Sequence, residues 1–181
     1  QIVLFVKSMF PLRLISDGND NGPQPNLILT DQNRTIQEKV VSDIINSFKS
    51  DTHNIAILVP LQSHVNTWYN YLVNSGINCS KFVNADGEIS KIENVHVTTF
   101  KSSKGLEFDT IILPDFNTFK QNLSTLHVVE ENDYYVVFTR ARRNLFLVDN
   151  SPAPNKRSEL SFLQKQIETG IIRVDKSYIQ S

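Results

Sequence analysis

The chain has 181 residues, 40% hydrophobic and 20% charged, with a formal net charge of −1. This is the size and composition of one globular domain with a real core, and no overall basic field marks it as a nucleic-acid binder, so any such binding must come from local patches. Cys79 is the only cysteine, which excludes a disulfide framework and a cysteine-rich zinc site, and no apolar run approaches the roughly 20 residues that span a bilayer.

In chain order, "QIVLFVKSMF" places Ile2, Phe5, Val6 and Met9 at helical spacing and predicts a short amphipathic helix. It has no basic leader and no small-residue cleavage site. The chain enters this helix directly at Gln1, so a longer parent protein is expected. Ser16 to Pro25 is a turn-rich loop, and "LILT" after it a short strand. In "DQNRTIQEKVVSDIINSFKS", Ile36, Val40, Ile44 and Phe48 step by four along one face, the mark of a helix. "NIAILVP" is a continuous apolar run closed by a proline, as in a buried strand. "QSHVNTWYNYLVNSGI" predicts a helix with Val65, Trp68, Leu72 and Val73 inward and Gly76 at its stop. "VHVTT", "TIILP" and "NLFLV" are further strands. "SELSFLQKQIETG" is amphipathic, and "IIRV" a short strand candidate.

Strands alternating with helices indicate an α/β domain with a largely parallel sheet flanked by helices. Ligands of such sheets sit beyond the carboxyl ends of the strands, and the bend after Thr99 is one such end. That bend, in "TTFKSSKGLEFDTIILP", sets two lysines and a Gly-Leu-Glu between two strands. "YYVVFTRARRNLFLVD" reads as strand by propensity. On a helical wheel, however, Tyr134, Val137, Phe138 and Ala141 make one apolar stripe with Arg140 and Arg143 beside it, so a helix is predicted here. Its arginines would project from an anchored helix end, a placement that suits a phosphate contact.

These two segments resemble motifs V and VI of superfamily 1 helicases of the UvrD/Rep type, whose usual forms are T-x-H-x-x-K-G-L-E-F and Y-V-A-x-T-R-A. The likeness runs from about Asn54 to Val148, and more loosely to the start. It implies a RecA-like, three-layer α/β fold over residues 1–181, the C-terminal motor domain of a longer, cytoplasmic, bacterial ATP-dependent DNA helicase or translocase, with DNA repair as a family setting. By the resemblance, Glu107 contacts the ATP ribose, Gly105 lets the backbone approach the nucleotide, and Lys104 serves the loop or a phosphate. Arg140 is the arginine finger at the γ-phosphate, and Thr99, Lys101 and Ser102 lie where the family meets single-stranded DNA.

The departures also carry information. Lys101 stands where the family often has histidine, and it could still hold a DNA phosphate. Pro60 takes the place of an arginine. Only residues 78–95 separate Ile77 from His96, so the family's large 2B insertion is expected to be absent or vestigial. No G-x-x-x-x-G-K-[ST] occurs. The resemblance therefore assigns the phosphate cradle and the Mg2+ ligands to an N-terminal RecA-like domain of the same parent, and the domain alone is expected to be inactive. Arg142 and Arg143 read as helix-end charge complementing the macrodipole. Glu107 has the alternative of pairing with Lys104. Trp68 reads as packing, the four histidines as structural or solvent-facing, and the Asn-x-Ser/Thr triplets at Asn33, Asn78 and Asn122 as chance. The alternative function is an interaction module in a motor that remodels a protein–nucleic-acid complex.

Overall fold

"IAILV" is apolar at every position because both of its faces are covered. It forms β2 (Ile55–Val59), with all five residues buried inside a seven-stranded sheet. A computed structural model of the protein describes residues 1–13, 22–83, 93–116, 129–150 and 158–179. Across the sheet the order is β3 (Ser80–Phe82), β4 (Val95–Thr99), β2, β5 (Phe108–Leu113), β6 (Ala141–Asp149), β1 (Asn26–Leu29) and β7 (Arg173–Asp175). Every pairing between these strands is parallel. Parallel strands bury both faces, which is why they read as unbroken apolar runs.

The period-2 alternation of the strands sorts the core into two clusters. Leu27, Leu29, Ala56, Leu58, Ile111, Leu113, Leu145 and Leu147 point to one face. There they meet α1 (Ile2–Met9), α4 (Glu131–Phe138) and α5 (Ser158–Glu168) through Phe5, Val6, Tyr134, Val137, Phe138 and Leu163. Ile28, Ile55, Ile57, Val59, Val95, Val97, Ile112 and Val148 point to the other face, against α2 (Arg34–Phe48) and α3 (Gln62–Asn74). The result is the three-layer α/β arrangement. Among the described residues no helix is long and apolar enough to cross a membrane.

Three expectations need correction. On α2 the buried face is Gln37, Val40, Val41, Ile44 and Ile45, so the stripe is wider than a step of four and Ile36 and Phe48 lie at its margins. Val73 is 47% exposed: α3 turns its neighbour Leu72 inward with Val65 and Trp68, and 100° of rotation carries Val73 off the face. α4 ends at Phe138, and Ala141 already belongs to β6, paired with Phe108. Gly76 does stop α3. At φ 75° it gives Gly76 N to Val73 O at 3.0 Å and Ile77 N to Leu72 O at 2.9 Å, a Schellman closure. Residues Ser16 to Asn21 of the expected loop, Asn122 and His127 lie outside the described residues.

Strand-like "YYVVF" is helical because tertiary contacts outweigh propensity. Asp133 Oδ2 accepts from the Glu130 backbone N–H at 3.0 Å and starts the helix. Its aromatic stripe then enters a ring cluster, Phe5–Phe138 at 5.1 Å, Tyr134–Phe162 at 5.3 Å and Phe116–Tyr134 at 5.8 Å between centroids.

Candidate functional site

β4 and β5 are parallel, with β2 between them. The segment joining them must therefore start at the carboxyl edge of the sheet and finish at the amino edge. At the carboxyl edge, Phe100 N bonds Val59 O at 2.9 Å. A single helical turn follows, with Ser103 N on Thr99 O at 3.0 Å and Leu106 N on Ser103 O at 3.0 Å. Thr99 Oγ1 donates to Ser102 Oγ at 2.8 Å and accepts from Ser102 N at 3.1 Å, while Ser103 Oγ donates to Phe100 O at 2.8 Å. Thr99, Ser102 and Ser103 are all buried. Their hydroxyls hold the turn together, whereas Lys101 and Lys104 are exposed beside it.

Gly105 then reverses the chain at φ 86°, in a region that costs an L-residue roughly 1–2 kcal/mol. The space where its Cβ would lie is open. The glycine is needed for its dihedral angle and not for clearance.

At the amino edge this segment meets the end of α4. Phe108 N donates to Arg140 O at 2.9 Å. The Arg140 side chain is half-buried and folds back: Nε donates to Val136 O at 3.1 Å, Nη1 to Leu106 O at 3.3 Å and Nη2 to Thr139 Oγ1 at 3.3 Å. A guanidinium over the carboxyl end of a helix completes its last carbonyls and complements its dipole. The expectation that Arg140 projects freely is thus corrected, because three hydrogen bonds tie it to α4 and to the KGLEF segment.

Beyond Arg140 the chain is strand, so Arg142 and Arg143 are not helix-end charges. Arg142 Nε and Nη2 both reach Glu107 Oε2 at 2.8 Å. Arg143 Nε lies 3.5 Å from Asp109 Oδ1, and the other Asp109 oxygen accepts from Asn54 N at 3.1 Å. Glu107 therefore pairs with Arg142 and not with Lys104. An open cleft of about 540 Å³ flanks these arginines, lined also by Phe48, His53 and Asn144.

Two separate patches result. The amino edge carries Glu107, Arg140, Arg142 and Arg143, and the carboxyl edge carries Thr99, Lys101 and Ser102. The pattern of the UvrD-like helicase C-terminal domain family matches residues 81–151, a span that contains all seven. Over that span the chain resembles the family. The RecB subunit of the RecBCD enzyme of Chlamydia pneumoniae is 36% identical over 64 residues, 35% of this chain. The chain spans only 6% of that relative's length. The crystal structure of the C-terminal domain of a possible DNA helicase from Lactobacillus plantarum superposes with a TM-score of 0.67 over 97% of this chain and 95% of that one, at 22% identity. The fold is accordingly that of a RecA-like helicase domain.

The structure brings Gly105, Glu107 and Arg140 to one edge and leaves Thr99, Lys101 and Ser102 at the other, with Lys104 exposed near the crossing. Trp68 is 1% exposed and sits in the core, with the Arg34 guanidinium 4.3 Å from its ring centroid. Sequence reasoning missed the cluster around Asp115. There Arg34 Nη1 meets Oδ2 at 3.1 Å and Gln37 Nε2 donates to Oδ1 at 2.7 Å, while Asp115 N returns a bond to Gln37 Oε1 at 2.7 Å. The one available signal was a glutamine on the apolar face of α2. Nearby, burial lowers the His64 pKa, with the Arg34 charge acting the same way and Asp115 opposing. Burial also pushes the Cys79 thiol up to about 11, so it stays protonated and unreactive at neutral pH.

Proposed function

We propose that the domain is the C-terminal motor domain of an ATP-dependent DNA helicase or translocase, working across a nucleotide from an N-terminal RecA-like domain of the same parent. The observation that carries this reading is the junction at the amino edge. Residues 34 positions apart meet there, Arg140 Nη1 on Leu106 O, so one edge presents a carboxylate and a fork of guanidinium donors together. Glu107 has an oxygen suited to a sugar hydroxyl, and Arg140 suits a phosphate oxygen. Gly105 sets the backbone reversal that places Glu107. Bound ATP supplies the γ-phosphate for hydrolysis. The cradle for its phosphates and its Mg2+ is assigned to the partner domain: the sequence has no G-x-x-x-x-G-K-[ST], and no metal-ligating group of side chains occurs among the described residues.

Single-stranded DNA is assigned to the opposite edge. Thr99 and Ser102 shape the turn that presents Lys101, and Lys101 makes the phosphate contact. Separating the nucleotide and DNA edges by one turn and one glycine would let a shift at either end move the other. The test of the whole reading is ATP hydrolysis by the full-length polypeptide with and without single-stranded DNA. Stimulation by DNA is expected, and hydrolysis indifferent to DNA would remove the motor reading. For the DNA edge, Lys101→Ala should weaken binding and lower the salt slope by about one phosphate contact. An unchanged slope would place the DNA elsewhere.

A further inference from the structure

The Glu107–Arg142 pair has a geometry that stability does not account for. Its side chains are 51% and 59% exposed, and an ion pair so open to water adds almost nothing to folding. Yet the backbone departs from regular pairing to make it. Phe108 pairs with Ala141 and Thr110 with Asn144, so β6 spends one more residue than β5 across this interval. In a regular strand, neighbouring side chains point to opposite faces. Arg142 and Arg143 could not then both meet carboxylates two positions apart. The bulge brings them there, and bulges of this kind re-aim side chains beside functional sites.

Both arginine nitrogens converge on one oxygen, Glu107 Oε2. Among the described residues, Oε1 has no hydrogen-bond partner. We infer that Arg142 is a positioning residue: it fixes the plane of the Glu107 carboxylate, so that Oε1 accepts a hydrogen bond from a ribose hydroxyl and selects ribonucleoside triphosphates over analogues lacking that hydroxyl. This rests on the reading of Glu107 as the ribose contact. Arg142 touches neither the sugar nor the phosphates. It acts through Glu107 alone, whereas Arg140, tied to Leu106 O and Val136 O, stands apart from the pair.

The test uses the full-length polypeptide with ATP and with 2′,3′-dideoxy-ATP, which lacks both sugar hydroxyls. The natural protein should prefer ATP in kcat/KM by about tenfold or more, the effect of a hydrogen bond to a charged acceptor. Arg142→Ala should raise KM for ATP about five- to tenfold, keep kcat within about twofold, and shrink the preference by the same factor as KM rises. Arg142→Lys should recover part of it, since a point charge attracts the carboxylate without fixing its plane. A purely structural role would lower the melting temperature and leave the preference intact. If Arg142→Ala folds normally with an unchanged or lower KM and full preference, the inference is overturned, and a lower KM would make Arg142 a competitor of the nucleotide. Glu107→Ala, which leaves no acceptor at this position, separates the two levels. If it loses the preference while Arg142→Ala does not, Arg142 alone is dismissed. If it too keeps the preference, the ribose reading fails and takes the inference with it.

Discussion

In the full-length polypeptide, Arg140→Ala is expected to cut DNA-stimulated ATP turnover by roughly 10²-fold or more, the scale of losing a guanidinium that stabilises charge on a transferring phosphoryl group. The structure adds a condition to this. Arg140 rests on Val136 O, Leu106 O and Thr139 Oγ1, and reaching a phosphate means exchanging these neutral acceptors for charged ones. The exchange is favourable, since hydrogen bonds to ionised acceptors are about twice as strong, but only once a nucleotide is present. Removing the side chain also costs the folded state something, about 1 kcal/mol for a half-buried group whose acceptors can turn to water. The two effects are separable. A melting curve should show a small loss and steady-state hydrolysis a large one. Arg140→Lys should restore little turnover, because an ammonium cannot grip two oxygens at once. Stable protein with undiminished turnover would make Arg140 a helix-end cation and favour the interaction-module reading of the domain.

Different features of the molecule were legible in the sequence to different depths, for reasons visible in particular residues. "IAILV" identifies itself because a strand buried on both faces is apolar throughout. α4 was legible against its strand propensity because Tyr134, Val137 and Phe138 recur at helical spacing. Its end was not. Ala141 fits the helical stripe as well as it fits a strand facing Phe108, and no single-residue preference distinguishes the two. Only the pairing with β5 decides it, and pairing is non-local.

The candidate residues stand out in the sequence, and their layout does not. Glu107 and Arg140 stand out by chemistry, and the structure places them at one edge. A charged bend between two strands suggests one surface loop, but between parallel strands it has to cross the sheet, so its two ends lie at opposite edges. Thr99 and Ser102 are small polar residues that look identical whether they face solvent or each other. Here they face each other, 2.8 Å apart. Arg142 reads as a helix-end charge from the sequence because its partner depends on a one-residue bulge, which leaves no compositional mark.

Acidification should destabilise the domain through His96. This ring is completely buried on β4 and stacked at 15° against Phe108, with centroids 6.2 Å apart. Its Nδ1 lies 2.7 Å from Ser80 Oγ, and that hydroxyl oxygen already accepts from Glu93 N at 2.9 Å. Nε2 of the ring is buried with no hydrogen-bond partner among the described residues. The charged ring would carry a proton on both nitrogens, leaving a buried Nε2–H without an acceptor and a cation in an apolar layer. Burial accordingly pushes the His96 pKa down from 6.5 to about 4. Between those two values the unfolded chain binds a proton that the folded one refuses, so stability is full above pH 6.5 and falls as pH drops toward 4. At 1.36 kcal/mol per pKa unit, the whole descent is on the order of 3 kcal/mol. Urea unfolding at pH 7.5 and at pH 4.5 would measure it, with His96→Gln as the reference in which carboxylates still titrate and the ring does not. The natural chain should lose about 2–3 kcal/mol more than the variant over this interval. Should the variant not fold, the ring's own NMR titration in the folded chain decides the matter. A midpoint near 6.5 would mean that the charged ring is accommodated and that His96 has no part in acid sensitivity.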